Sequence, residues 1–298
     1  IGLVISALVS AALGWMVASS GMRPIRQVTW VAASMSAKSL KERIPLAPVP
    51  KELQQMVLSF NAMLSRLDDA FVRLSNFSAD IAHELRTPVS NLMTHTEVVL
   101  SRKRNIEDYE DNLYSNLDDL KRMSRMIDDM LFLAKSDNGL ITHESKPIDL
   151  VAVVEKLLEY YRLLADERGI ELKVSGRGSV RGDVLMLHRA ISNLLSNALR
   201  YTYEGTSISV DIQHKDASVT VVVENHGEPI APEHLEKLFD RFYRVDPARR
   251  EGSPSNAGLG LSITRSIVEA HNGKIWCTSG DGKTAFHLEF PAVDSTVS

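Results

Sequence analysis

The chain has 298 residues, a formal net charge of -4, and charged residues of both signs that make up 24% of it. This length allows two or more domains, and the lack of a basic excess argues against a nucleic-acid-binding protein. The single cysteine, Cys277, excludes an internal disulfide and is typical of a reducing compartment; we interpret it as a small buried residue of a strand.

The first predicted element is a transmembrane helix over residues 1–22. No residue of this stretch is charged, and a helix of this length would span roughly 30 Å, the thickness of a bilayer core. A signal peptide is the alternative, but its basic residues would precede the apolar stretch, whereas Arg23 and Arg26 come after it. Basic residues just after a span favour a cytoplasmic location for the chain beyond the span. Because the chain opens on Ile1, we expect a piece that starts at a second membrane span, with a sensor region before it.

Residues 23–74 predict a helix, an extended connector and a second helix. Apolar residues around Val31 follow helical spacing, and prolines at 45, 48 and 50 interrupt it. From Leu53 to Leu67 the apolar spacing is heptad-like, which is typical of a helix that pairs with others. Such a unit would bury its stripes against a second copy. It would either transmit helix displacement or serve as a passive stalk.

Residues 75–140 predict a long helical hairpin. Helical periodicity runs from Phe71 to about Lys103, a polar turn follows, and apolar residues then recur again at steps of three and four. Gly139 is the expected stop of the second helix. As a monomer the hairpin would expose too much apolar surface, so we predict a homodimer that forms a four-helix bundle.

His83 stands out on the first helix of this hairpin. It lies two residues from both Ile81 and Leu85, so its side chain points away from the apolar stripe and toward solvent. The carboxylate of Glu84 is adjacent, and Pro88 removes one backbone hydrogen bond just beyond. An exposed imidazole beside a carboxylate is a plausible nucleophile. The alternative is an ordinary surface histidine of a coiled coil.

A second polar pattern lies on the helix predicted over residues 184–200. Asn193 and Asn197 are four residues apart, so both amides project from one helix face, with apolar residues around them. Two neutral oxygen ligands suit Mg2+, which keeps most of its waters and is shared with phosphates. Arg200 adds a cation for a phosphate, and Tyr201 adds a ring able to stack on a base. The alternative is an amphipathic helix with ordinary surface amides.

From residue 148 onward the pattern changes to mixed helix and strand. The order of elements is not the regular alternation of a doubly wound sheet. It predicts an antiparallel or mixed sheet with helices on one face. We expect helices near 149–168, 184–200 and 259–271, and strands near 170–175, 206–213, 218–224, 274–279 and 284–290.

A long loop precedes the last predicted helix. The region from Gly227 to Ala257 is polar at its end, and long loops of this kind commonly act as lids over functional sites. Gly258 and Gly260 then open the helix. Their bare backbone N–H groups, together with the helix N-terminus, can hold phosphate oxygens.

Four segments resemble, in chain order, the H, N, F and G2 boxes of bacterial sensor histidine kinases: residues 77–88, 188–202, 238–244 and 257–263. Residues 23–74 resemble a HAMP linker. The resemblance implies a GHKL ATP-binding fold of the α+β class and a location in the bacterial inner membrane, with the catalytic part in the cytoplasm. It divides the chain into a transmembrane helix (1–22), a HAMP linker (23–74), a dimerisation and histidine phosphotransfer domain (75–140), an ATP-binding domain (146–292) and a tail (293–298).

The same resemblance implies a reaction. His83 would attack the γ-phosphate of ATP, and Glu84 would hydrogen-bond the imidazole and set its reactive nitrogen. The phosphoryl group would then pass to an aspartate of a response-regulator partner. Thr87 would orient a water that dephosphorylates that partner, although simple bonding to the helix backbone before Pro88 is an alternative for Thr87.

The resemblance also assigns the nucleotide contacts. Asn197, together with Asn193, belongs to the Mg2+ environment, and Arg200 and Tyr201 contact phosphate and adenine. Phe239 and Phe242 would anchor the lid, by packing or by a direct role. Further expected ATP contacts are Arg241, Arg244, Asn225, Gly227, Gly258, Leu259 and Gly260.

One segment departs from the family pattern. Where the G1 box has Asp-x-Gly-x-Gly, this chain has Asn225 in place of the acid and Pro229 in place of the second glycine; Asn256 likewise replaces a glycine ahead of the G2 box. An amide still offers one acceptor and one donor to adenine. Loss of the charge would weaken binding by about 1 kcal/mol, or roughly five- to tenfold.

Three functions are supported as hypotheses. The first is an active histidine autokinase and phosphotransferase. The second, motivated by Asn225, is a kinase-impaired scaffold that dephosphorylates a regulator. The third is an ATPase of the chaperone or mismatch-repair type, which would need neither the histidine hairpin nor the membrane span.

The sequences of the H-box and F-box segments are similar to those of the heavy-metal sensor kinases of the copper and silver resistance group. This similarity implies Cu(I) or Ag(I) as the signal.

Overall fold

The computed structural model describes residues 2–3, 5–16, 41–46, 49, 51–140, 145–215, 217–245 and 258–292. The chain divides into two compact units, Ile1–Thr87 and Pro88–Ser298. Residues 5–16 are helical and exposed. Among the described helices, none has both the length and the apolar content needed to cross a membrane. Part of the predicted span over residues 1–22, and the first helix of the predicted linker, lie outside the described residues.

In the first unit the connector folds against the start of a long helix, α1, which covers Lys51–Leu100. The side chain of Asn61 accepts a hydrogen bond from the backbone N–H of Ile44 and donates one to its carbonyl, each 3.0 Å long. The predicted helix is therefore present, and the described part of the predicted connector packs against it, whereas residues 47, 48 and 50 lie outside the described residues. A small apolar cluster packs them together: Ile44, Val49, Val57, Leu53 and Phe60.

The second helix of the hairpin, α2, covers Ile106–Asp137. Asn105 caps its N-terminus by accepting a hydrogen bond from the N–H of Asp108 at 2.7 Å. Gly139, at φ +63°, follows its C-terminus as expected for a helix stop. In the second unit, the amide of Asn116 on α2 donates to the hydroxyl of Thr96 on α1. The predicted helical hairpin is confirmed.

A five-stranded mixed sheet forms the body of the second unit, in the order β2-β4-β5-β7-β6. β2 runs parallel to β4, and the other neighbouring pairs are antiparallel. Every strand predicted from periodicity is present, within two residues at each end. The strands are β2 Glu171–Gly176, β4 Ser207–Lys215, β5 Ser218–His226, β6 Lys274–Gly280 and β7 Lys283–Pro291.

Three helices cover one face of this sheet: α3 Leu150–Asp166, α4 Val184–Tyr201 and α6 Gly260–Ala270. β4 and β5 alternate strictly between buried and partly exposed residues over most of their length, because one face packs on the helices and the other faces water. Leu194, Val221 and Leu288 are fully buried in the shared core. The predicted mixed sheet with helices on one face is confirmed, and Cys277 is a buried strand residue whose pKa burial raises to about 12.

Four small elements have no counterpart in the sequence-based predictions. β1 (Lys146–Asp149) pairs antiparallel with β3 (Ser179–Gly182) in a separate ribbon. A short helix, α5 (Pro232–Leu235), and a 3₁₀ turn over Lys237–Phe239 lie in the stretch predicted as a lid. The rest of that lid, residues 246–257, lies outside the described part of the chain.

Candidate nucleotide site

The helix α4 carries the paired amides. Asp183 caps its N-terminus by accepting from the N–H groups of residues 185 and 186, and its apolar side, including Ile191 and Leu195, is fully buried. Asn193 and Asn197 are both half-buried on the remaining face, as their spacing predicts. The side-chain amide of Asn197 has no hydrogen-bond partner among the described residues.

Asn193 joins α4 to the start of α6. Its amide nitrogen donates to the carbonyl of Gly260 at 3.0 Å and reaches the hydroxyl of Thr264 at 3.4 Å. Since the nitrogen is used in this way, the amide oxygen of Asn193 is the atom left for a ligand. α6 has no side-chain cap at its N-terminus, so its first N–H groups are available to an anion.

A close backbone contact requires the glycine just before α6, Gly258, whereas a Cβ at Gly260 would meet only the side chain of Asn193 at 3.7 Å or more. Gly258 has φ +72°, and a Cβ there would lie 2.9 Å from the backbone of Phe242. Phe242 itself has φ +60° and donates its N–H to the carbonyl of Gly258 at 3.0 Å. Leu259, which follows, is buried. The F-box segment is thereby fixed against the start of α6, while Phe239 packs edge-on against Phe286 in the core.

Hydrogen bonds connect the residues after the C-terminus of α4 to the end of β5. The hydroxyl of Thr202 donates to the carbonyl of His226 at 2.9 Å, and the N–H of Tyr203 donates to the same carbonyl at 2.9 Å. Gly227 must be a glycine, because a Cβ would lie 2.5 Å from the carbonyl oxygen of Tyr201. These contacts bring the predicted N-box and G1-box residues to one place, with Tyr201 exposed and Arg200 half-buried.

Asn225 lies on β5, two residues before Gly227. It is only 3% exposed and pairs along the sheet with Ile208 on one side and Thr284 on the other. No hydrogen-bond partner for its side-chain amide is found among the described residues. In the described residues, the side-chain atoms that are fully shielded from solvent and have no partner lie elsewhere, on Arg104, Asn116 and Arg122, so the amide of Asn225 is open to solvent or to a ligand.

Sequence reasoning missed Arg168. Its guanidinium donates to the carbonyls of Leu199 and Thr202, the second at 3.0 Å, and it lies 3.7 Å from the carboxylate of Glu204. These carbonyls lie at the C-terminus of α4, where a helix has no further N–H groups to donate to its last carbonyls. The partners are 31 and 34 residues away in sequence, so no local pattern could reveal them.

Two arginines of the predicted site region form ion pairs with aspartates of α2. Arg241, predicted as a charge stabiliser, donates to Asp137 at 2.5 Å. Arg189 pairs with Asp129 and stacks over Phe132, 4.7 Å from the ring centroid. Burial raises the pKa of the Asp129 carboxyl, and the charge of Arg189 opposes this shift. Arg244 is half-buried. The contact made by Arg189 was not predicted.

The H-box residues lie on α1 in the first unit. The helix continues through Pro88 without a break. His83 and Thr87 are exposed and Glu84 is half-buried, so the exposed imidazole expected from the apolar spacing is confirmed. Neither His83 nor Glu84 has a side-chain hydrogen bond to another described residue.

Three known domain families match the chain. Residues 16–69 match the HAMP domain, and residues 73–139 match the His Kinase A (phospho-acceptor) domain. Residues 182–294 match the histidine kinase-, DNA gyrase B-, and HSP90-like ATPase family. The three matches follow the same order as the sequence boxes.

Relatives similar to the chain include two sensor proteins. The sensor protein CopS of Pseudomonas syringae pv. tomato is 60% identical over 86% of this chain and 53% of its own length. The sensor histidine kinase CusS of Escherichia coli K12 is 52% identical over 91% of this chain and 57% of its own length. The chain therefore spans little more than half the length of these relatives.

Solved structures show the same fold. The Acinetobacter baumannii histidine kinase AdeS gives a TM-score of 0.58 at 23% identity, covering 71% of this chain and 98% of that chain. The histidine kinase ThkA, solved in complex with the response regulator protein TrrA, gives a TM-score of 0.61 at 21% identity, covering 77% and 65% respectively. At these identities the likeness concerns the fold alone.

Proposed function

The chain belongs to the two-component sensor histidine kinases, and on that premise we propose that it phosphorylates its own His83 with Mg2+-ATP and passes the group to an aspartate of a response regulator. One observation carries this proposal. The paired amides of α4, the uncapped start of α6 and the side chain of Asn225 lie on elements that contact one another in the second unit.

The residues present fit a nucleotide with its cation. Asn197 has an amide without a partner in the described residues, and Asn193 keeps its oxygen available beside it; neutral oxygens of this kind suit Mg2+. Mg2+ would supply neutralisation of the phosphate charges. Gly258, Leu259 and Gly260 would present backbone N–H groups to phosphate oxygens.

At the other end of the site the adenine would meet Asn225 and Gly227. Gly227 lies against the backbone of Tyr201, so adenine recognition and the Tyr201 ring share one support. Arg200 would face a phosphate. Arg241 and Arg244 would stabilise charge on the transferring group, which for Arg241 requires exchange of its ion pair with Asp137.

Phosphoryl transfer depends on positioning and charge neutralisation. His83 would attack in line, so that a nitrogen–phosphorus bond forms as the bond to ADP breaks. Glu84 would hold the imidazole in the reactive tautomer. Thr87, one turn later and exposed, would orient the water that removes phosphate from the regulator.

Labelled ATP tests this proposal directly. We expect the chain, incubated with Mg2+ and γ-labelled ATP, to acquire a label that acid removes and base does not. His83→Gln should abolish the label. His95→Gln is the matched control, since His95 is another exposed histidine of α1, and it should keep the label. Absence of label at millimolar ATP would reject the kinase, and steady ATP hydrolysis unaffected by His83→Gln would favour an independent ATPase.

A second candidate is motivated by Asn225. If the amide binds adenine too weakly for autophosphorylation, the chain would act as a scaffold that dephosphorylates the regulator. Removal of phosphate from a phosphorylated regulator, abolished by Thr87→Ala while no label reaches His83, would identify this activity.

Dimerisation and membrane attachment complete the proposal. Both helices of the hairpin expose apolar side chains in the single chain, among them Met93, Leu113 and Leu117, as expected for a four-helix bundle formed by two copies. Light scattering should give a dimer mass. We propose that residues 1–22 lie in the inner membrane. The proposed domains after them are the HAMP linker (23–74), the dimerisation and histidine phosphotransfer domain (75–140), the ATP-binding domain (146–292) and a tail (293–298).

The signal is proposed as Cu(I) or Ag(I). This rests on the likeness to the copper and silver group, because the described residues contain no group of three metal-binding side chains. In a host that carries the whole protein, a reporter should respond to Cu(I) and Ag(I). A response to Zn2+ alone would contradict the assignment.

A further inference from the structure

In the part of the chain that the structure describes, no hydrogen bond fixes the orientation of the Asn225 amide. Polar groups of residues close to it in the chain and in the sheet are paired with other groups. The hydroxyl of Thr202 donates to His226, the N–H of Gly227 donates to Gly282, and the hydroxyl of Thr284 lies 2.8 Å from that of Ser279. Asn225 is thus only 3% exposed, and its amide has no partner among the described residues, so it can present either its oxygen or its nitrogen to a ligand.

This freedom has a chemical consequence for a purine. Adenine offers a donor at its 6-amino group beside an acceptor at N1. Guanine offers the reverse, an acceptor at O6 beside a donor at N1. An amide has one donor and one acceptor side by side, so one orientation matches adenine and the flipped orientation matches guanine. A carboxylate only accepts hydrogen bonds, so it would match the adenine amino group and would repel O6 of guanine.

We propose that Asn225 makes the nucleotide site tolerant of both purines, so that GTP is a second phosphoryl donor beside ATP. This inference rests on the proposed function, since it assigns the base to the Asn225 end of the site. The two hydrogen bonds change places between the bases while their number stays the same. The base therefore contributes similar binding in both cases, and the phosphate contacts at α4 and α6 are common to both nucleotides.

The test compares the two nucleotides in the wild-type chain and in Asn225→Asp. We expect kcat/KM for labelling of His83 by GTP to lie within about tenfold of that for ATP in the wild type. In Asn225→Asp the ATP preference should rise by about 10- to 100-fold, mainly through a higher KM for GTP, because a buried acceptor would face another acceptor. Asn272→Asp makes the same chemical change in the exposed turn between α6 and β6 and should leave the ratio unchanged.

Competition by unlabelled nucleotides gives a second measurement that needs no variant. GDP should displace a fluorescent ATP analogue from the wild-type chain at concentrations within about tenfold of ADP. An ATP preference above about 100-fold in both labelling and displacement would overturn the inference, as would an unchanged ratio in Asn225→Asp. Labelling by ATP without labelling by GTP would leave the kinase standing and reject only the dual specificity. Absence of labelling by either nucleotide would reject the kinase, and displacement would then decide the base preference alone.

Discussion

Removing the guanidinium of Arg168 should both destabilise the second unit and weaken nucleotide binding. Arg168 lies between α3 and β2 and donates to the carbonyls of Leu199 and Thr202 at the C-terminus of α4. The same helix end carries Arg200 and Tyr201. Arg168→Ala would leave two carbonyls of this helix end without a protein donor, and the helix end would fray toward solvent.

These contacts determine the size of the effect on stability. A hydrogen bond from a charged donor contributes about 1.5–3 kcal/mol, and the two here should give less than their sum because the Arg168 side chain is 35% exposed. The favourable charge at a helix C-terminus adds about 0.3–1 kcal/mol. The ion pair with the exposed Glu204 adds about 0.5 kcal/mol or less. We expect a loss of about 2–3 kcal/mol in Arg168→Ala and about half of that in Arg168→Lys, which keeps the charge but not the fork.

Urea unfolding followed by far-ultraviolet circular dichroism, with and without ADP and Mg2+, measures both effects. Arg162→Ala is the matched control, since Arg162 lies exposed on the adjacent helix α3. In Arg168→Ala the unfolding midpoint should fall. The Kd for ADP should rise by about tenfold, which corresponds to a loss of about 1.4 kcal/mol in binding free energy. If Arg168→Ala and Arg162→Ala had the same midpoint and the same Kd, the proposed support of α4 would be refuted.

Three further predictions concern other contacts. Gly227→Ala should raise the Kd for ADP, measured by titration calorimetry, and lower the free energy of unfolding by about 1–3 kcal/mol, because the added Cβ clashes with the backbone. Gly280→Ala is the control, since the space around Gly280 is open, and it should change neither quantity. Equal values for the two variants would contradict the close contact. Asp137→Ala should release Arg241 and tighten ADP binding by up to about fivefold, because an exposed ion pair contributes about 1 kcal/mol at most; weaker binding would mean that Arg241 does not reach the nucleotide. Asn61→Ala should speed hydrogen exchange in residues 41–46, since both of its bonds to the connector are lost; unchanged exchange there would show that apolar packing alone holds the connector.

Periodicity was enough to predict most elements of the fold. The alternation of β4 and β5, and the apolar stripe of α4, result from burial on one face only. The ribbon of β1 and β3 was not predictable in this way. Its strands have four residues each, one of them contains Pro147, and they are held by pairing with each other, which a local pattern does not record.

Residue spacing predicted the local geometry of the site, but it did not predict the contacts between residues far apart in the chain. The spacing of Asn193 and Asn197 correctly predicts a shared helix face. It does not indicate that the nitrogen of Asn193 is used by Gly260, which is 67 residues away. The ion pair of Arg189 with Asp129 was missed for the same reason, since it joins residues 60 apart. Such contacts depend on how helices meet after folding.

In the proposed reaction, the imidazole of His83 receives the γ-phosphoryl group from a nucleotide held by the amides of α4. Mass spectrometry with electron-transfer fragmentation, applied to the chain after incubation with ATP and Mg2+, tests it most directly. We expect a single phosphoryl group on His83, and none in Asn197→Ala, which removes an amide that has no partner among the described residues. A phosphoryl group on another residue, or one on His83 that persists undiminished in Asn197→Ala, would contradict it.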